Sequence, residues 1–421
     1  MRIRLASIAL LASSSLLGFV LLEAGYRFTL HRTQPWWFLD SDGLWYFEKS
    51  PFRYSEAFGY EYVPGSYHAG AAHDGRIIAC WDPFWDWEIN AEGNSGRIKG
   101  SYADAELRIL AFGDSFTQRP RPSPAGEPMT WPNFLQDLLE AGIGRSVHVV
   151  NFGRDGYGVL QMLDLAAARV PEWRPDLAII AFITDDLTRG RFWRITTFLE
   201  GRERILVSSV PDPHPSLETA TDAFLVDARA TSEWCRGLLA SQSRGDPVLR
   251  DLEEALREGR RRGSHLSDVW SLSQSFVLDA LLHGQPFHST LARASPAQKP
   301  LHGLADFADD PRAVAAVETL RASGTPIVLL HLASHPELAA GEEYPDRGAD
   351  PARDRALVAS LERLTGWPVH ETLAHLPAPL GTIDLESLPV DAPRDIHPSL
   401  RGHRFYAEVA AAVLRRHGIV E

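Results

Sequence analysis

Four short apolar runs constrain this chain more than any other feature: LRILAF (107–112), VHVVNF (147–152), DLAIIAF (176–182) and TPIVLLHL (325–332). Each is the length of a strand, and each is predominantly apolar instead of alternating regularly with polar residues. A strand of that kind is buried on both faces. Amphipathic stretches lie between and after them: WPNFLQDLLEAG (131–142), VLQMLDLAAARV (159–170), PRAVAAVETLRASG (311–324) and HRFYAEVAAAVLRRHG (403–418). Their apolar residues recur at helical spacing. Strands that alternate with helices predict an α/β fold, a doubly wound and mostly parallel sheet with helices on both faces.

The beat is interrupted twice. Between the third and fourth runs, residues 187–324 include the helical stretch VLRDLEEALREGRRRG (248–263). A structureless connection of that length does not suit a compact domain, so a helical insertion that covers a site is expected there. Upstream, residues 28–104 are rich in aromatics and turns, with Trp36-Trp37-Phe38, Trp45-Tyr46 and the strand or hairpin WDPFWDWEIN (81–90). This extension is expected to pack on the core; the alternative is a sugar-stacking platform of Trp81, Trp85 and Trp87. The predicted division is therefore 1–27, 28–104 and 105–421.

At the N-terminus, Arg2 and Arg4 precede an apolar run from Leu5 to Leu22. Eighteen helical residues span about 27 Å, close to the roughly 30 Å hydrocarbon core of a bilayer. A cleaved signal peptide and an uncleaved anchor both fit, and Ser13, Ser14 and Ser15 leave open a buried helix of a soluble protein. The residues after the run match a cleavage site poorly, which favours a signal anchor over 1–27. Positive residues stay on the cytoplasmic side, placing the rest of the chain outside. A net charge of −13 excludes a general nucleic-acid binder, which needs a basic face. Two cysteines, Cys80 and Cys235, either pair in an oxidising compartment or remain buried thiols. No CxxC or Cys/His cluster exists, so neither a metal nor a cofactor is expected.

The sharpest motif follows the first strand directly: Gly113-Asp114-Ser115-Phe116-Thr117. Open α/β sheets build active sites at the C-terminal ends of their strands. Ser115 there is either a nucleophile or a helix cap. A nucleophile needs a base, and Asp395-Ile396-His397-Pro398 offers one: His397 takes the proton while Asp395 orients the ring. The competing reading is a surface turn. His403 reads as a first-turn helix residue, and His331 with His335 does not make a metal pair. Two more stretches end the second and third strands. Asn151-Phe152-Gly153-Arg154-Asp155-Gly156-Tyr157-Gly158 is a glycine-rich turn, and Thr184-Asp185-Asp186-Leu187 carries two carboxylates.

In this order the blocks resemble the SGNH/GDSL hydrolase superfamily, particularly its membrane-anchored bacterial envelope members. The resemblance covers about residues 107–187 and 325–417, with Asn90-Ala91-Glu92-Gly93 and Arg97 as a less specific lead-in. It implies a catalytic Ser115, His397 and Asp395. It also implies an oxyanion hole of the Ser115 amide, Gly156 and the position held by Asp185, with Asp114, Asn151 and Asp186 in support. The family usually supplies an Asn where this chain has Asp185. Three consequences are open: a protonated Asp185, a hole built on two amides alone, or a protein that binds without turnover. The implied function is a serine esterase acting on O-acyl groups of an extracytoplasmic substrate such as a cell-surface polysaccharide. An O-acyltransferase with the same triad and a non-catalytic envelope binding protein are the alternatives. The expected partners are an ester-bearing glycan or lipid and the bacterial inner membrane. The catalytic domain is expected on the periplasmic side.

Overall fold

A computed structural model describes residues 45–47, 49–67, 69–73, 76–80, 87–191, 193–199, 202–208, 222–226, 306–341, 351–391, 395–416, 418 and 420. The chain divides into two units. One comprises 1–46, 70–80 and 228–297; the other comprises 47–69, 81–227 and 298–421. In the first, Ala69–His73 pairs antiparallel with Arg76–Cys80, Ala69 itself being counted with the second. Every site residue discussed below belongs to the second.

The second unit is built on five strands: β1 (Leu107–Gly113), β2 (Val147–Gly153), β3 (Leu177–Phe182), β4 (Ile327–His331) and β5 (Val369–Glu371). Their order is β2-β1-β3-β4-β5, and all pairs are parallel. The sequence beat predicts the first four. β5 has no apolar run because its three residues, VHE, are all half-buried at the sheet edge. Five helices cover the sheet: α1 (Trp131–Ile143), α2 (Val159–Trp173), α3 (Pro311–Ser323), α4 (Pro351–Thr365) and α5 (Leu400–Arg416).

Alternate residues of each strand point to opposite faces, and the core divides accordingly. Leu110, Phe112, Val150, Phe152, Ile180 and Leu329 pack with α2, α3 and α4. Ile109, Ala111, Val149, Ile179, Val328 and Leu330 pack with α1 and α5. The predominance of apolar residues in these strands is thus a consequence of two buried faces.

Phe52, Phe58, Tyr60, Tyr62 and Tyr67 join the core on the α2 face. Phe52–Ser55 and Gly59–Tyr62 form a hairpin, and Tyr157 Oη donates to the carbonyls of Phe58 and Tyr60 at 2.8 and 2.7 Å. Within the span expected to be helical, three described segments are β-strands instead. Trp193–Leu199, Arg202–Ser208 and Asp222–Val226 pair antiparallel in sequence. At α3 the Asp310 carboxylate caps the amides of Arg312 and Ala313. The expected helix at 248–263, the N-terminal apolar run, Trp81, Trp85 and Cys235 lie outside the described residues, as do the side chains of Trp87 and Cys80. Among the described residues, no helix is long and apolar enough to cross a membrane.

Candidate active site

The chain leaves β1 through α1 to β2 on one side, then through α2 to β3 on the other. Such a reversal opens a crevice at the C-terminal ends of the strands. Register aligns what lines it: Gly113 pairs with Gly153 of β2 and with Ala181 of β3. The three loops that follow therefore start abreast.

Gly113 is fixed by space. A Cβ there would lie 2.0 Å from Thr117 Oγ1 and 2.8 Å from the Ala181 carbonyl. The chain then turns into a short helix, Ser115–Gln118, capped by Asp114, whose Oδ1 accepts the Phe116 amide at 2.8 Å. Ser115 is buried. Its Oγ lies 2.9 Å from Nε2 of His397 and 3.4 Å from Asp114 Oδ2.

His397 comes from the strand Asp395–Pro398, which pairs with Pro389–Asp391. Arg121 Nε donates to the Pro398 carbonyl at 3.0 Å, fastening this segment to the nucleophile loop. The His397 ring packs 5.4 Å from that of Phe116. On its far side, Arg119 Nη1 stands 3.5 Å from Nδ1. The Asp395 backbone lies in the strand; its side chain is outside the described residues.

Asn151 ties β2 to the nucleophile turn. Its Nδ2 donates to the Thr117 carbonyl at 2.8 Å and to Thr130 Oγ1 at 3.2 Å, and its Oδ1 accepts the Gly153 amide at 2.8 Å. Gly156 sits on the following turn with φ +81°, a left-handed conformation that suits glycine. Asp155, just before it, is held by Arg119 and Arg194. Burial pushes its carboxyl up, but the two guanidinium groups outweigh burial and hold it well below the usual carboxylate range.

After β3, Asp185 is half-buried, and its carboxylate takes no hydrogen bond among the described residues. Asp186 is fully buried. Its Oδ2 accepts the Ile183 amide at 3.0 Å, and its Oδ1 meets Arg189 Nη1 at 2.5 Å. The same Nη1 lies 3.3 Å from Asp114 Oδ2. Burial raises the Asp114 carboxyl and, more strongly, that of Asp186, where the Asp114 charge adds to the effect. The expected carboxylate pair is thus split. Asp186 is locked beneath the turn, and Asp185 remains available.

Sequence reasoning missed Arg119, Arg189 and Arg194. Arg189 had a signal, three residues after Asp186, the spacing of a helical ion pair. Arg119 and Arg194 had none, because their partner Asp155 is distant in sequence. His403 also carries more than helix. Its Nδ1 accepts the Trp131 amide at 3.1 Å, and Nε2 meets the Arg119 carbonyl at 2.8 Å. His331 is buried with Nε2 3.0 Å from Thr184 Oγ1, while His335 opens the helix His335–Ala340. Among the described residues, no group of three His, Cys, Asp or Glu could hold a metal ion.

A model of the GDSL-like lipase/acylhydrolase family matches residues 111–292. Similar solved structures include the acetylxylan esterase Axe2 from Geobacillus stearothermophilus (14% identity, 76% of this chain and 97% of that one, TM-score 0.31). A lipase/acylhydrolase from Enterococcus faecalis is 13% identical over 74% of this chain and 96% of that one, with TM-score 0.32. An alpha/beta hydrolase from the metagenome of Lake Arreo, Spain, is 15% identical over 76% and 100%, with TM-score 0.33. Likenesses this distant carry no functional weight. No curated protein matches the sequence.

Proposed function

Because the chain belongs to the GDSL-like lipase/acylhydrolase family and is a serine hydrolase of ester bonds, we propose that Ser115 is its nucleophile and His397 the base. The observation that carries this is the 2.9 Å contact between Ser115 Oγ and His397 Nε2, made at the end of β1 where the sheet order reverses. Ser115 Oγ attacks the ester carbonyl as His397 Nε2 takes its proton. Negative charge develops on the carbonyl oxygen, facing the amides of Ser115 and Gly156. Collapse expels the alcohol, which receives the proton from His397. Water then attacks the acyl-Ser115 ester by the same route in reverse. Asp395 orients the imidazole from its own strand. A sugar hydroxyl in place of water would make the enzyme an O-acyltransferase.

The proposed substrate is an O-acylated, extracytoplasmic glycan. The proposed setting is the periplasmic face of a bacterial inner membrane, with residues 1–27 as anchor. The apolar run behind Arg2 and Arg4 supports this setting. A lipid ester is the rival substrate beside a bilayer.

Asp185 favours a second reading, an envelope protein that binds its ligand without turnover. An ionised carboxylate repels an oxyanion, and one missing donor costs roughly 100- to 1000-fold in rate. Labelling with a small fluorophosphonate, read by intact mass, separates the two. A single adduct that disappears in Ser115→Ala supports the enzyme. Full esterase activity in Ser115→Ala would sink it.

A further inference from the structure

Arg119 is held at both ends. Its carbonyl accepts from His403 Nε2 at 2.8 Å. That bond needs the tautomer with the proton on Nε2, and Nδ1 supplies the matching acceptor to the Trp131 amide at 3.1 Å. At the other end, Arg119 Nη2 and Nε donate to Asp155 Oδ1 at 2.8 and 3.3 Å. Nη1 is thereby left 3.5 Å from Nδ1 of His397. Both side chains are largely buried, 11% and 19% exposed.

Asp155 is fixed as firmly. Its amide donates to Tyr62 Oη at 3.0 Å, and its carbonyl accepts from Tyr60 Oη and, at 3.1 Å, from Arg194 Nη2. Arg194 also reaches the carboxylate at 3.4 Å. Neither charge can move away when His397 changes its own.

We propose that Arg119 and Asp155 form a positioning pair that governs the protonation of His397. The proposal rests on Ser115 and His397 being the reacting pair. A guanidinium only donates hydrogen bonds, so Arg119 beside Nδ1 opposes the imidazolium and keeps the ring a competent base at lower pH. Asp155 counters that effect and keeps the imidazolium within reach as the Ser115 proton arrives. Between groups this far withdrawn from solvent, charges a few ångströms apart are felt strongly.

Other charged or titratable groups around His397 are common to every comparison below. Asp114 stands beside Ser115 on the nucleophile turn. His403 approaches from α5, and Arg121 holds the Pro398 carbonyl. Asp395 lies on His397's own strand.

The test is the pH dependence of fluorophosphonate labelling of Ser115 in the full-length protein, followed by intact mass. Arg119→Gln should move the acid limb up by about one pH unit, because the imidazolium loses a repelling neighbour. Asp155→Asn should move it down by a similar amount. Arg119→Lys should restore the wild-type midpoint. A pair that only braces the fold would lower the rate at every pH and leave the midpoint still. Unmoved midpoints, or shifts in the same direction, overturn the proposal while labelling of Ser115 stands. Absence of labelling in the wild type would instead overturn the enzymatic reading beneath it. Should Asp155→Asn fail to fold, Arg119→Gln against Arg119→Lys decides alone.

Discussion

Arg189 Nη1 lies 2.5 Å from Asp186 Oδ1, and both side chains are withdrawn from solvent. The same nitrogen reaches Asp114, one residue before the nucleophile. One cation therefore serves two buried carboxylates, joining the end of β1 to the end of β3 across the crevice.

Removing that cation leaves charge stranded in a low-dielectric place. Arg189→Gln should destabilise the protein by about 3–5 kcal/mol, the usual cost of breaking a buried pair from one side. Urea unfolding measures it. A loss under about 1 kcal/mol, as for exposed pairs, would mean that the carboxylates are neutral or hydrated instead.

Gly113→Ala tests how tightly the nucleophile turn is packed. The new methyl would meet Thr117 Oγ1 and the Ala181 carbonyl, and the carbonyl is backbone with little room to yield. Overpacking should cost roughly 1–3 kcal/mol. Fluorophosphonate labelling should fall further than stability does, since Ser115 lies two residues away. Unchanged labelling would show that the turn tolerates the shift.

His403 should make the protein acid-sensitive. Burial, followed by the Arg121 charge, pushes its imidazole down to about 3, and Nδ1 is occupied as an acceptor. The unfolded chain binds this proton below about pH 6.5, whereas the folded chain does not until about pH 3. Stability is therefore full above pH 6.5 and is lost as pH falls through that window, about 2 kcal/mol by pH 5. Unfolding free energies of wild type and His403→Gln at pH 7 and pH 5 check it. Equal losses in both would assign the sensitivity elsewhere.

Asp185→Asn should accelerate acylation of Ser115. The amide donates where the carboxylate repels, and one donor is worth on the order of 100-fold or more. A decrease in labelling rate would show that Asp185 has a positive part in the reaction.

The sheet was legible in the sequence because a strand buried on both faces is apolar at most positions, with no regular alternation. LRILAF and VHVVNF announce themselves without any knowledge of their neighbours. The edge strand VHE meets that condition on neither face, so nothing marked it. The charge-rich α4 shows only a thin buried stripe, Leu357, Val358 and Leu361. The strands Trp193–Leu199, Arg202–Ser208 and Asp222–Val226 alternate too little to declare themselves as β.

The site divides the same way. Ser115, His397, Asn151 and Gly156 were picked out because their residue types and strand-end positions are properties of the local chain. That Asp155 would be gripped by Arg119, 36 residues before it, and by Arg194, 39 residues after it, was not. Nor could sequence tell that Asp186 would be locked in place while Asp185 stayed open. The sequence by itself determined which segments must be buried, since apolar periodicity is local and its transfer free energy belongs to each residue. Only the tertiary structure decided which charges meet, because strand register and helix docking choose the partners, and burial sets how strongly they act.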